Sequence, residues 1–172
     1  PDDFDTNNSS IVRTLYQKID KDTSDQQGVT IYTKRAKRSI GGVQTEVFDL
    51  SFHISSGMFK AIKHTMQNLA VNTWHHIAIV YERAGTERVV GFLNGRQHSY
   101  TANSRAELDD IQMGGGTIYL GYGFGHKSHA DPTTHMPPGT GTLANNYFRG
   151  LIDEFRVWST VRSQEQIHGN MH

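Results

Sequence analysis

The chain has 172 residues, 35% of them hydrophobic, which suits one domain that buries a core without metal or disulfide staples. Its 17 Lys and Arg equal its 17 Asp and Glu, so no global field draws it to nucleic acid or to an anionic membrane. It has no cysteine, which removes disulfides, thiolate zinc sites and thiol nucleophiles, and it contains neither an apolar run long enough to span a bilayer nor a leader-like start.

Residues 1–8 are polar apart from Phe4 and read as a tail or linker. Residues 11–19 lean to strand on their β-branched content, and their spacing also fits a helix. Val29-Thr30-Ile31-Tyr32-Thr33 is a short strand running into the basic Lys34-Arg35-Ala36-Lys37-Arg38 and then Gly41-Gly42, the composition of a solvated hairpin tip. From Val47 to Ile54, Phe48, Leu50, Phe52 and Ile54 alternate with polar residues, so a strand with one buried face is predicted. Ser55-Ser56-Gly57 turns it back into residues 58–64 as an antiparallel hairpin.

The stretch Trp74-His75-His76-Ile77-Ala78-Ile79-Val80-Tyr81 is apolar in both phases, the pattern of a central strand covered on each side. Residues 89–93 lead into Asn94-Gly95, a two-residue hairpin signal because both positions tolerate positive φ, and residues 96–101 are the predicted return strand. Residues 102–116 are polar and glycine-rich. Ile118-Tyr119-Leu120-Gly121 is the next strand, followed by a long loop, residues 122–146, rich in glycine, proline, threonine and histidine.

The chain closes with Phe148-Arg149-Gly150-Leu151-Ile152-Asp153-Glu154-Phe155-Arg156-Val157-Trp158. Phe148, Gly150 and Ile152 keep one phase of a two-residue alternation and Phe155 and Val157 the other, which predicts a bent strand bulged near Asp153-Glu154. Ser163-Gln164-Glu165-Gln166 fits a capping box opening one helical turn. Strands at short intervals without strand–helix alternation predict an all-β, antiparallel two-sheet sandwich. Trp74, Ile77, Ile79, Phe92, Ile152, Phe155 and Val157 are its expected core.

Four of these motifs, in this order, resemble the laminin-G-like, concanavalin-A-like jelly-roll domains. The family's W-H-H-[IV]-A-[IV]-x-Y is matched by residues 74–81, its [LV]-[ND]-G by Leu93-Asn94-Gly95, its [IL]-[YF]-[IL]-G by residues 118–121, and its F-x-G-x-I-D-E-[FV]-R-[IV]-[WY] by residues 148–158. A later S-x-E-[EQ]-I is matched by Ser163-Gln164-Glu165-Gln166-Ile167. The resemblance covers residues 74–167 and extends more faintly back to about Arg13. The family's opening F-[DN]-G-x-[DN]-[DN]-[YF] has no counterpart before Arg13, so the chain is expected to be a segment of a longer polypeptide, or to have that strand replaced or supplied by another chain. The resemblance implies a jelly roll with one short C-terminal helical turn.

Catalysis is not expected. Glucanases of this fold carry an E-x-D-x-(x)-E constellation because a nucleophile and an acid must stand about 5 Å apart on one face. Glu107-Leu108-Asp109-Asp110-Ile111 lacks the third carboxylate. Within the long loop, Tyr122 and Phe124 offer rings for stacking on a pyranose, and His126, His129, Asp131 and Asn145 offer polar groups for its hydroxyls. The spacing of His126, His129 and His135 matches no rigid ligand pair for zinc or copper. The resemblance further implies that Asp153 holds calcium in some members, together with backbone carbonyls of early strands; the alternative is a carboxylate that caps the bulge. The expected function is non-catalytic recognition of a glycan or an extracellular protein by one domain of a larger extracellular or cell-surface polypeptide. A structural or assembly module is the alternative. Neither nucleic acid nor membrane insertion is expected.

Overall fold

A computed structural model describes residues 12–19, 28–57, 60–82, 88–102, 118–122 and 147–171. They form two antiparallel sheets and one short helix. The strands are β1 (Val12–Ile19), β2 (Gly28–Ile40), β3 (Val43–Gly57), β4 (Lys60–Ala70), β5 (Ile77–Glu82), β6 (Arg88–Leu93), β7 (Arg96–Ala102) and β8 (Ile118–Leu120), and the helix is α1 (Gln164–Gly169). The larger sheet has the order β4-β3-β2-β1-β8 and the smaller the order β5-β6-β7.

The alternation in β3 sets the interior. Phe52 and Ile54 join Tyr16, Val29 and Ile62 on the face that meets Val89, Ile79 and Tyr81 of the smaller sheet. Leu50 packs with Met66 and Leu69 beside Phe48, Ile77 and Leu93. Each such fully buried side chain contributes about 1.5–3 kcal/mol. Gly91 lets β6 approach β4 across the interior: a Cβ there would sit 2.7 Å from Met66 Sδ and 3.0 Å from His64 Nε2.

Local chemistry explains the turns. Asn94 and Gly95 have φ of 50° and 73°, as the predicted hairpin requires. Ser163 caps α1 in the predicted capping box, its side chain accepting from the Gln166 N–H while Gln166 reaches back to the Ser163 N–H. Ile167 then packs on Val90 and Phe92, covering the far face of the smaller sheet. Of residues 11–19, open between strand and helix in the sequence, Val12–Ile19 are a strand bulged between Thr14 and Tyr16. Three strands outrun their expected ends: β2 continues through the basic run to Ile40, β3 runs from Val43 through the expected turn residues to Gly57, and β4 continues past His64 to Ala70.

Two expectations are overturned. The Trp74 stretch is not a central strand. Residues 73–76 are irregular, β5 begins only at Ile77 on the edge of its sheet, and Trp74 is 63% exposed. The backbone there is held by a side chain instead of a ladder, because Asn94 Oδ1 accepts from the His76 N–H at 3.0 Å and the Asn94 N–H donates back to His76 O at 2.8 Å. Asn72, with φ of 55°, turns the chain just before it.

The second correction concerns residues 148–158, which form no ladder; Tyr147 makes one isolated parallel bridge to Thr14. The expected bend does fall at Asp153-Glu154: Glu154 has φ of 52°, and Asp153 Oδ1 accepts its N–H at 2.9 Å. Arg156 pairs with Glu154 and donates to Asn170 O at 3.2 Å, a tether of side chains. Of the expected core, Phe92 is buried, Ile77, Ile79 and Ile152 are half-buried, and Trp74, Phe155 and Val157 are exposed. Phe155 stacks on Tyr16 with ring centroids 5.1 Å apart, and so meets the core only at its margin.

Candidate functional site

Side chains of the other phase of the larger sheet make its second face polar. One row runs across all five strands: Tyr119, Gln17, Thr30, His53 and Lys63 are successive pairing partners. The next row holds Thr14, Tyr32, Ser51 and Thr65. Ser51 and Thr65 hydroxyls are 2.9 Å apart, Gln17 Nε2 donates to Thr30 Oγ1 at 3.5 Å, and Lys63 Nζ stands 5.9 Å from the centre of the Tyr32 ring. Thr14, Gln17, Thr30, Tyr32, Ser51 and His53 are all buried. Gln17 with Thr30 and Ser51 with Thr65 offset part of the cost of burying these polar groups by bonding in pairs.

At the β8 end of this face, three tyrosines converge. Gly121, at φ 70°, turns the chain as it leaves β8; its N–H donates to Leu15 O at 2.8 Å, and its carbonyl accepts from Phe148 N–H at 2.9 Å. The two chain segments flanking residues 123–146 are thereby held side by side. Arg13 Nη1 donates to Tyr147 O at 3.2 Å and fixes the second of them to β1. As a result the Tyr122 ring lies 4.9 Å from that of Tyr147 and 5.9 Å, edge-on, from that of Tyr119. Tyr119 and Tyr122 are half-buried and Tyr147 is 52% exposed, so the cluster presents an aromatic surface with phenolic hydroxyls. Such a surface stacks on the apolar face of a sugar ring and bonds its hydroxyls.

Of the residues singled out in the sequence, Tyr122 belongs to this cluster. Phe124, His126, His129, Asp131 and Asn145 lie outside the described residues. Tyr119 and Tyr147 were not anticipated, although both were readable: Tyr119 shares its alternation phase with Gly121, and Tyr147 directly precedes the closing motif. Asp153 is exposed and its Oδ1 is occupied by the Glu154 N–H, the capping alternative named above. Among the described residues no group of three or more His, Asp or Glu side chains is placed to hold a metal.

A second polar cluster lies between the sheets. His64 is buried, its Nε2 is 3.0 Å from Ser99 Oγ, and that hydroxyl is 3.1 Å from His98 Nδ1. Burial, with His98 adding to it, lowers the His64 pKa below its usual 6.5. His76 is lowered too, first by burial and then by the Arg156 charge.

The family model of the concanavalin A-like lectin/glucanases superfamily, in its laminin-G form, matches residues 2–168. That span begins well before Arg13, where the quoted motifs fade. No curated protein matches the chain. Among solved structures, the chain is similar to residues 221–444 of an S-layer domain-containing protein from Clostridium thermocellum ATCC 27405, at 17% identity and a TM-score of 0.42. The alignment covers 93% of this chain and 63% of that one. With two antiparallel sheets in place and the family model spanning nearly its whole length, the chain belongs to the laminin-G-type branch of the concanavalin A-like lectin/glucanase superfamily.

Proposed function

We propose that this chain is a non-catalytic carbohydrate-recognition module of a larger extracellular or cell-surface protein, and that it binds through the rim of Tyr119, Tyr122 and Tyr147. The carrying observation is the convergence of three tyrosine rings where residues 123–146 depart and return, with Tyr147 half exposed. Phe124, His126, His129, Asp131 and Asn145 belong to that segment and are assigned to the same ligand surface, Phe124 as a further stacking ring and the other four as hydroxyl-bonding groups. Family membership supports a binding or structural module. Among the described residues no helix is long and apolar enough to cross a membrane. A glycan array tests the reading: reproducible hits are expected, and an array without any would leave an assembly module as the better account.

That second reading draws on a different observation. Leu151, Val157, Trp158 and Val161 are all exposed along the closing segment, an apolar concentration suited to contact with another polypeptide. Calcium at Asp153 is part of the proposal, since one carboxylate oxygen beside a turn is a usable ligand for a cation that takes six to eight oxygens. Millimolar calcium is then expected to raise the melting temperature relative to chelator, by mass action on the folded state. An unchanged melting temperature would remove the metal from the account.

A further inference from the structure

Arg162 is half-buried, and its Nε is shielded from solvent with no acceptor in reach. His75 Nδ1 and His76 Nδ1 also lack a partner, but an imidazole nitrogen can go without a proton. A guanidinium cannot, so each of its N–H groups asks for an acceptor at any ordinary pH. What holds Arg162 is an aromatic face: its Cζ lies 3.9 Å from the centre of the Trp158 ring. Stacking of this kind fixes the plane of the cation and leaves the N–H fork, which lies in that plane, unengaged. Among the described residues its side chain makes no hydrogen bond and no ion pair.

The surroundings are apolar and lack acid. Residues 157–164 contain no Asp or Glu, and Arg162 is their single charge. Just upstream, Glu154 is paired with Arg156, and Asp153 accepts the Glu154 N–H. Val157, Trp158 and Val161 are all exposed. A planar cation pinned on an indole beside open aliphatic side chains has the composition of a protein-binding hot spot, where Trp and Arg are enriched.

We propose that Trp158 and Arg162 form a docking point for an acidic segment of another polypeptide, with a partner Asp or Glu carboxylate seated on the guanidinium. The two oxygens of one carboxylate meet two parallel N–H groups of the fork, and because the indole already pins the cation, little side-chain freedom is lost. The positive charge is delocalised over the plane, so an oxyanion on its accessible edge also offsets the charge at the shielded Nε. Val157 and Val161 then receive aliphatic side chains of the partner. A polypeptide is favoured over an acidic sugar, because the guanidinium occupies one face of the indole and valine offers nothing to hydroxyls. The proposal rests on the second reading above, contact of the closing segment with another polypeptide, and adds the chemistry of that contact. It uses none of the tyrosine rim.

Selection from a displayed library of random linear peptides, followed by titration of the selected peptides against the wild type and its variants, tests it. Peptides retained by the wild type should carry Asp or Glu beside aliphatic residues, and their affinity should fall about tenfold or more in Arg162→Gln and in Trp158→Ala. Arg162→Lys keeps the charge but loses the planar fork, so it should lose nearly as much, and it answers the question should Trp158→Ala lose its fold. Peptides without acidic enrichment, bound as well by Arg162→Gln but lost in a Leu151→Ser, Val157→Ser double variant, would overturn the proposal and leave polypeptide contact standing. No selected peptide, or only peptides indifferent to all of these variants, would remove both. Retention of polygalacturonate that depends on Arg162 would also overturn it, by giving the site to an acidic glycan.

Discussion

β3 and the closing segment, residues 148–158, are both extended, but they are held by different means. β3 is bonded along its length by β2 and on its other side by β4, and its apolar face is sealed by the smaller sheet. The closing segment is held by an isolated bridge, a stacked ring and a few side-chain bonds, and it leaves Leu151, Val157 and Trp158 in the open. The difference teaches that apolar alternation creates a face, whereas a neighbouring edge that meets the backbone groups makes the strand. The tyrosine rim stands at the seam, with Tyr119 in the larger sheet and Tyr147 at the start of the closing segment.

Substitution should separate the two regions sharply. Leu50, 1% exposed, packs with Met66 and Leu69, so Leu50→Ala should cost about 2–5 kcal/mol in denaturant unfolding. Val157, 71% exposed, should tolerate Val157→Ala within about 0.5 kcal/mol. Comparable losses at the two positions would break the contrast. Gly91→Ala probes the sheet-to-sheet contact itself. Its new methyl meets Met66, which is fully buried and has little room to yield, so a loss of about 1–3 kcal/mol is expected by the same method.

A smaller effect should appear with pH. His64 has its pKa lowered in the fold, chiefly by burial, so the unfolded chain takes up a proton first as pH falls through 6.5. Stability should therefore be full above that pH and decline below it, until the folded His64 is itself protonated. Half-buried His76 contributes in the same direction, also lowered mainly by burial. Replacing His64 by Gln should flatten the melting-temperature profile between pH 7 and pH 5, at the ends of the range over which an ordinary histidine titrates. An unaltered slope would assign the acid sensitivity elsewhere.

Local signals in the sequence were reliable wherever a few neighbouring residues decide the outcome. Asn94-Gly95 made its turn because both residues accept positive φ, Ser163 found Gln166, and the alternation of Phe48, Leu50, Phe52 and Ile54 identified the face that became core. The bend at Asp153-Glu154 was legible for the same reason. Failures came where a distant partner decides. Nothing near Trp74 announces that Asn94, twenty residues on, will occupy the His76 backbone. Likewise, the polar phase of β3 looked like a solvent face, yet Ser51 and His53 are buried in rows that span the sheet. At the site, Tyr122 was legible as a ring beside a long loop. Its company was not, because Tyr119 and Tyr147 are brought to it by contacts distant in sequence, the Gly121–Phe148 and Arg13–Tyr147 bonds.

The most direct measurement is a titration of the strongest glycan from an array against the wild-type chain and a Tyr122→Ala, Tyr147→Ala double variant, with circular dichroism confirming that the variant keeps its fold. Removal of both stacking faces should weaken binding about tenfold or more. Equal affinity in the folded variant would contradict the assignment of the tyrosine rim as the ligand surface.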